Sequence, residues 1–216
     1  MALRCFSRKP KGHWISRALA LILPLAACLP DTTGEAALGF GKAPETATGL
    51  KVPVLPRIDL FRGAVVVAGP GGYCIDRQSL RRNATGAFVL IASCESLTGK
   101  VGKPVAPAVM TVSVVPDTQG AAPPSAASLA ALTRPAEILQ SSEDDGLSVV
   151  QLASGGDRLL PMGDPRHWRG GMVINDHIIG LAVYGPAGSA VSGDAGRALL
   201  TTLAETLRRL SPPVGS

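Results

Sequence analysis

Five acidic and histidine residues in the last third of the chain are its clearest candidates for metal or acid–base chemistry. They are Asp157, Asp164, His167, Asp176 and His177. Carboxylates and imidazoles can together bind a divalent cation or transfer protons. Trp168 adjoins this group and is either an exposed recognition aromatic or a core anchor. The candidate ligand-contacting residues are therefore Asp164, His167, Trp168, Asp176 and His177.

The elements that must position these side chains argue against a metal site with two histidines. Apolar runs flank an Asn-Asp pair at 175–176, which predicts a β-hairpin with a type I′ turn. Such a turn pairs Ile174 with His177 and places His167 near Tyr184. The histidines then lie about seven residues apart, roughly 23 Å along the strands, whereas metal ligands lie about 2 Å from their ion. We therefore predict no metal, no cofactor and two surface or turn histidines.

Other arrangements that could support catalysis are weak. The turn-forming segment 69–72 and the nearby Arg77, Arg81 and Arg82 lack both glycine-rich phosphate-binding patterns, so they predict a tight turn and a solvated loop. Neither Ser189 nor Ser192 sits in a Gly-x-Ser-x-Gly elbow. No catalytic residue is assigned from the sequence. We expect a non-catalytic protein, and an enzyme or a ligand- or metal-binding protein using the 157–177 region is the alternative.

The segment before Cys28 has the composition of a secretory signal peptide. A basic region without acidic residues precedes an apolar run at 18–27, which is shorter than the roughly 20 residues that span a bilayer. The run closes with Leu25-Ala26-Ala27-Cys28, which resembles the lipobox of bacterial lipoproteins. The resemblance implies removal of the segment 1–27 and attachment of lipid, palmitate included, to Cys28. The alternative is an ordinary signal peptide cleaved near Ala27.

The lipobox resemblance also implies a location. A lipidated Cys28 would anchor the protein in the cell envelope, facing the periplasm. Leu29 stands where an aspartate usually signals retention at the inner membrane in enteric bacteria, so the outer membrane is favoured over the inner one. The partners expected from this interpretation are the membrane, through the N-terminal lipid, and another envelope protein.

Charge gives no reason to expect nucleic acid as a partner. The chain has 21 Lys and Arg against 16 Asp and Glu, and five of those basic residues precede Cys28. The predicted mature chain thus carries 16 residues of each sign. A neutral domain lacks the electrostatic attraction on which binding to phosphate backbones depends.

Two cysteines remain after Cys5 is removed and Cys28 is lipidated. They are Cys74 and Cys94, and an oxidising compartment favours a disulfide between them. A redox-active dithiol is the alternative, although the chain has no Cys-x-x-Cys motif. We predict a structural disulfide that ties two neighbouring segments together.

The composition divides the predicted mature chain into a tether, one domain and a tail. The segment 28–62 is rich in Gly, Pro and Thr, which predicts a flexible tether. Apolar residues at 51–60 leave an edge strand open as an alternative for that part. The domain is predicted at 63–212, and the segment 213–216 forms the tail.

The domain is predicted to be α+β, with a mainly antiparallel sheet packed by one or two helices. Strands are expected at 64–68, 73–76, 87–93, 105–115, 147–152 and 159–162, followed by the hairpin. Helices are expected at 129–139 and 195–210, the second capped by Ser192 or Asp194. Polar segments at 77–86 and 141–146 are expected to be loops.

The tether, the cysteine pair and the terminal hairpin and helix together resemble lipoproteins of Gram-negative envelopes. The order of strands and helices is also similar to small α+β lipoproteins of the PsbP/Mog1 type. Neither resemblance implies a reaction. The function expected is therefore that of a membrane-anchored envelope lipoprotein with a binding or structural role.

Overall fold

Eight antiparallel strands form the sheet that supplies the framework of the protein, in a computed structural model that describes residues 53–118, 120 and 122–213. The predicted signal peptide, the lipidation site Cys28, the tether up to residue 52 and the last residues 214–216 lie outside the described residues. No helix in the described part is both long and apolar enough to cross a membrane.

The elements follow one another as strands with four interspersed helices. In chain order the strands are β1 Val54–Leu55, β2 Arg57–Leu60, β3 Val65–Ala68, β4 Tyr73–Asn83, β5 Gly86–Ser93, β6 Val109–Pro116, β7 Ile138–Asp144, β8 Leu147–Leu152, β9 His167–Ile174 and β10 His177–Tyr184. The helices are α1 Cys94–Thr98, α2 Ala126–Leu132, α3 Gly156–Leu159 and α4 Asp194–Leu210. The large sheet has the order β1-β4-β5-β6-β10-β9-β8-β7, and β2 pairs with β3 separately. The α+β class predicted from the sequence is therefore correct.

The main core lies on one face of the large sheet, which we call the inner face. Strand alternation directs side chains such as Met110, Leu181 and Met172 to this face, where α4 and β3 pack over them. The apolar residues of α4 recur at helical spacing, so that Leu200, Leu203 and Leu207 are fully buried together. The opposite face, which we call the outer face, is packed by α2 near β8 and β9.

Two adjacent glycines let helices approach β9 from both sides. A Cβ on Gly170 would lie 2.8 Å from Leu200 on the inner face, and one on Gly171 would lie 2.9 Å from Pro124 on the outer face. Successive strand residues point to opposite faces. The Gly-Gly pair therefore makes room for α4 on one side and for the segment that leads into α2 on the other.

The predicted hairpin is confirmed with its register. Asn175 has a φ of 46 and Asp176 a φ of 56 degrees, and a type I′ turn requires positive φ at both positions. Ile174 pairs with His177, as the turn dictates. The side-chain amide of Asn175 donates to the carbonyl oxygens of Ala64 and Pro212, at 2.8 and 2.6 Å. The turn thus fastens the sheet to both chain segments that lie beside it.

The first strands lie in the segment for which the sequence left two alternatives. Val54–Leu55 pairs with β4 as the edge of the large sheet, and Arg57–Leu60 pairs with β3. Leu60 is buried, and Leu55 and Ile58 pack against the core. Strand pairing therefore begins before Gly63, because these apolar side chains pack against the core.

Three local predictions are wrong. Residues 77–83 continue β4 instead of forming a loop, with a bulge at which the Ser79 hydroxyl accepts from the Leu90 amide at 2.8 Å. Residues 138–144 form the edge strand β7. Its polar composition led to the prediction of a loop, because an edge strand faces solvent and can be polar. Residues 159–162, predicted as a strand, instead comprise the last residue of the short helix α3 and the segment after it, which contains a turn at 161–162.

Both predicted helices exist with corrected limits. The first ends at Leu132, before Pro135, and the second begins at Asp194 with Gly193 at its N-cap. Neither Ser192 nor Asp194 caps it through a side chain. The Ser192 hydroxyl instead donates to the Ser189 carbonyl at 2.8 Å, within the preceding 3₁₀ turn.

Candidate functional site: a basic cavity at His167

A cavity of about 420 Å³ opens on the outer face beside the start of β9. Its floor is formed by Leu152, His167 and Tyr184, which lie on three adjacent strands. Its walls come from the end of α2, from the segment that follows it and from α3. The wall residues include Leu132, Arg134, Arg158 and Leu159. The volume lies within the range of small-molecule sites, which is roughly 300–1,000 Å³.

His167 is the predicted candidate residue that reaches this cavity. Its side chain is buried, which corrects the expectation of a surface histidine, because its ring stacks on Tyr184 with centroids 5.0 Å apart. Burial lowers the pKa of His167 below its ordinary value, and the charge of Arg169 lowers it further, whereas Pro165 and Asp157 oppose the shift. The ring is therefore neutral near pH 7.

The hydrogen-bond partners of His167 indicate which nitrogen carries its proton. Nδ1 lies 3.3 Å from the Pro165 carbonyl oxygen, to which it can only donate. Nε2 is then an acceptor, and Arg169 Nε lies 3.5 Å from it, at the outer limit of a hydrogen bond. The neutral imidazole thereby helps to orient the Arg169 guanidinium at the cavity.

Three arginines give the cavity a positive charge. Arg134, Arg158 and Arg169 all line it, and each side chain carries a guanidinium group. Within the described residues, none of the three forms a salt bridge with a carboxylate. Asp157 is the acidic residue whose charge reaches His167, and its own side chain is exposed.

Asp164 is not part of the cavity lining, because its carboxylate is engaged elsewhere. Arg166 donates to it from Nε and Nη2 at 3.1 and 3.0 Å, and the Gly188 amide donates at 3.2 Å. The Arg166 side chain is the main reason that the pKa of Asp164 lies well below its ordinary value. This carboxylate therefore joins the segment before β9 to the loop after β10.

Trp168 is a core anchor, so its candidacy as a ligand-contacting residue is corrected. It is 1% exposed and points to the inner face, and its indole N–H donates to the Gly193 carbonyl at 2.8 Å. Strand alternation places it on the side opposite His167. A ligand in the cavity cannot reach it.

Asp176 and His177 lie at the far end of the hairpin. Asp176 is an exposed turn residue, and the His177 ring lies 4.7 Å from that of Phe61. His167 is at the opposite end of β9, about 23 Å away at roughly 3.3 Å per residue. The five candidates are therefore dispersed, and the described residues contain no group of three His, Cys, Asp or Glu placed to hold a metal ion.

The sequence reasoning missed the three cavity arginines. They lie in three separate segments of the chain, the first following α2, the second in α3 and the third in β9. Their spacing follows neither a helical nor a strand period. The alternation of β9 could have shown only that Arg169 shares a face with His167.

The two cysteines predicted to form a disulfide lie next to each other in the structure. The sulfur atoms of Cys74 and Cys94 lie 1.99 Å apart, which is disulfide distance. Cys74 is in β4 and Cys94 begins α1, so the pair joins a strand to the helix that follows the neighbouring strand β5.

Comparisons with known proteins identify no family for this chain. No protein-family model matches the sequence, and no curated protein matches it either. Among solved structures, a point mutant of protein Mog1 is similar at 14% identity and a TM-score of 0.36, covering 73% of this chain and 90% of that one. The Saccharomyces cerevisiae Ran-binding protein Mog1p is similar at 12% identity and a TM-score of 0.36, covering 74% and 90%. We draw no functional argument from similarities at this level.

Proposed function

We propose that this protein is a lipid-anchored lipoprotein of the cell envelope that binds another envelope protein through its outer face. The anchor would be the lipidated Cys28, with the folded domain facing the periplasm. The observation that supports the binding role is a group of partly exposed apolar side chains on the outer face, the same face of the sheet as the cavity.

This group consists of Phe88, Leu90, Val115 and Ile178, which we call the outer patch. Pairing of β5, β6 and β10 puts these side chains on one face, and Val115 is 47% exposed. Phe88, Leu90 and Ile178 are only partly buried. Clustered apolar surface of this kind is typical of binding sites, whereas single exposed apolar residues are common everywhere.

Site-specific photo-crosslinking in cells tests this proposal. A photo-reactive amino acid at Val115 should capture a specific envelope protein, because that side chain is the most exposed of the outer patch. The matched control carries the same amino acid at Thr202, an exposed position on α4. The proposal predicts a cross-linked product at position 115 that is absent at position 202.

The substitution Val115→Glu provides a second test of the same proposal. A charge in the outer patch should prevent capture through a neighbouring photo-reactive residue at Ile178, because desolvating a carboxylate in an apolar interface is costly. Identical products at positions 115 and 202, or capture unaffected by Val115→Glu, would show that the outer patch is not the binding surface.

The cavity supports a second function, the binding of a small ligand. Its volume, its buried floor and its polar wall residues are those of a ligand site rather than of a flat protein interface. Ligand and partner binding are compatible, because the cavity and the outer patch occupy different parts of the same face.

A further inference from the structure

The arginines of the cavity at His167 form no salt bridge with a carboxylate of the described residues. The cavity's three guanidinium groups belong to Arg134, Arg158 and Arg169, and none has a carboxylate partner within the described residues. Elsewhere, Arg57, Arg166 and Arg208 each pair with an aspartate at 3.0 or 3.1 Å. Three arginines without a carboxylate partner among the described residues thus line one concave site.

All three arginine side chains line the same cavity, so their combined positive charge attracts an anion to it. Arginine suits oxyanions because its planar fork donates two parallel hydrogen bonds to a carboxylate or phosphate. The neutral His167 leaves the site without a fourth positive charge, and its Nε2 faces the Arg169 side chain. The site therefore offers several positively charged hydrogen-bond donors.

The walls of the cavity are partly apolar. Leu132 is 82% exposed and Leu159 is 43% exposed, and both line the cavity beside the arginines. A ligand with an apolar portion would remove this surface from water while its charged end met the guanidinium groups. A small inorganic anion would leave the leucines exposed.

We propose that the cavity binds an oxyanion carried on an apolar group, either a carboxylate or a phosphate ester. This inference rests on the second function proposed above, ligand binding in the cavity, and specifies the chemistry of the ligand. It does not depend on the outer patch or on the identity of a protein partner.

Isothermal titration calorimetry on the full-length protein in a non-ionic detergent tests it, with hexanoate, hexyl phosphate, acetate and 1-hexanol as probes. Hexanoate or hexyl phosphate should bind with saturation, and acetate and 1-hexanol should bind at least roughly tenfold more weakly. The tighter of the two larger anions identifies the preferred oxyanion. Raising the salt concentration should weaken binding of the anion, because ionic screening reduces the attraction.

Single substitutions locate the binding. Arg158→Gln and Arg169→Gln should each weaken binding of the anion by roughly tenfold or more, because each removes a charge-assisted donor. Arg209→Gln is the matched control, since Arg209 is an exposed arginine at the end of α4. It should leave the dissociation constant unchanged, and circular dichroism should show that all three variants remain folded.

The failures are distinguishable. If 1-hexanol binds as tightly as hexanoate, ligand binding stands and the oxyanion inference is overturned. If Arg209→Gln weakens binding of the anion as much as Arg158→Gln does, the attraction is not that of the cavity, and the inference is overturned. If none of the four probes binds, both the inference and the second function are wrong, whereas the cross-linking result at Val115 is unaffected.

Discussion

At the scale of single residues, neighbouring polar side chains have different roles because their surroundings differ. Asp164 and His167 lie three positions apart, yet one is held by an arginine and backbone amides and the other is buried against Tyr184. The pKa of the first is lowered because its charged form is hydrogen-bonded, and the pKa of the second because burial disfavours its charged form. Only the second contributes to the cavity.

Substituting Asp164 tests its structural role. Asp164→Asn removes the charge that accepts from Arg166 and Gly188, so it should lower the free energy of unfolding at pH 7 by about 1–3 kcal/mol. Because the pKa of Asp164 is lowered on folding, its contribution is complete above the ordinary value of 3.8 and is lost as the pH falls below it. Urea unfolding should therefore show a smaller difference between variant and wild type at pH 3 than at pH 7.

Asp176→Asn is the control for this measurement. The residue is exposed in a turn with positive φ, which asparagine adopts well. It should change stability little at either pH. A similar loss in both variants would show that the Asp164 network has no special role.

At the scale of secondary structure, the start of α4 depends on close packing against its neighbours. A Cβ on Gly196 would meet the Val191 carbonyl and lie 2.8 Å from Trp168 Cδ1. The Val191 carbonyl is part of the backbone, so it cannot move aside as the end of a flexible side chain can. The indole N–H of Trp168 in turn donates to Gly193, so the helix and β9 are held at a short separation.

Gly196→Ala tests this packing. The added methyl group should push α4 away from β9 and lower the free energy of unfolding by about 1–3 kcal/mol, although alanine favours helices over glycine elsewhere. Gly193→Ala is the matched control, because the nearest atom to its Cβ would be the Ala190 carbonyl oxygen at 3.6 Å. Equal thermal midpoints for the two variants would contradict the packing argument.

The cysteine pair connects two other elements, β4 and α1. Cys74 and Cys94 have a sequence separation of 20. The chain-entropy model assigns a crosslink that closes a loop of this length about 3 kcal/mol. The double substitution Cys74→Ser and Cys94→Ser should lower the free energy of unfolding by that amount. A reductant should lower the urea midpoint of the wild type and leave the double variant unchanged. If the reductant does not destabilise the wild type, the prediction that the cysteine pair stabilises the fold is wrong.

At the scale of the whole molecule, the proposed anchor and the folded domain would divide the tasks of location and binding. Basic residues before Cys28 account for the net charge of +5, so the proposed mature chain is neutral overall. Its positive charge near His167 is therefore a local feature created by folding. A neutral mature chain would have no general electrostatic affinity for nucleic acids.

The intact mass of the membrane-extracted protein tests the anchor. We expect the mass of the chain from Cys28 to Ser216 plus a diacylglyceryl group, because the lipobox resemblance implies cleavage before Cys28. Cys28→Ser should abolish the added mass and release the protein from the membrane fraction. A mature chain without lipid would leave a secreted protein and would remove the anchoring part of the proposed function.

The elements that were predictable carry strong local signals. The Asn-Asp turn between two apolar runs predicted the hairpin and its register, and the leucine spacing predicted α4. Edge strand β7 was not predicted because its residues are polar. Helix α3 was not predicted because a single helical turn has no detectable period. The position of Trp168 was open in the sequence, since either face of β9 could have been the core.

The sequence by itself determined the α+β class, the hairpin turn, the last helix and the pairing of Cys74 with Cys94, because short-range patterns and the small number of cysteines carry that information. Only the tertiary structure decided which candidates share a site. It separated Asp164, Trp168 and Asp176 from His167, and it gathered Arg134, Arg158 and Arg169 beside that histidine. The physical reason is that long-range strand pairing sets which distant segments meet, and such pairing leaves no periodic signal in the residues it brings together.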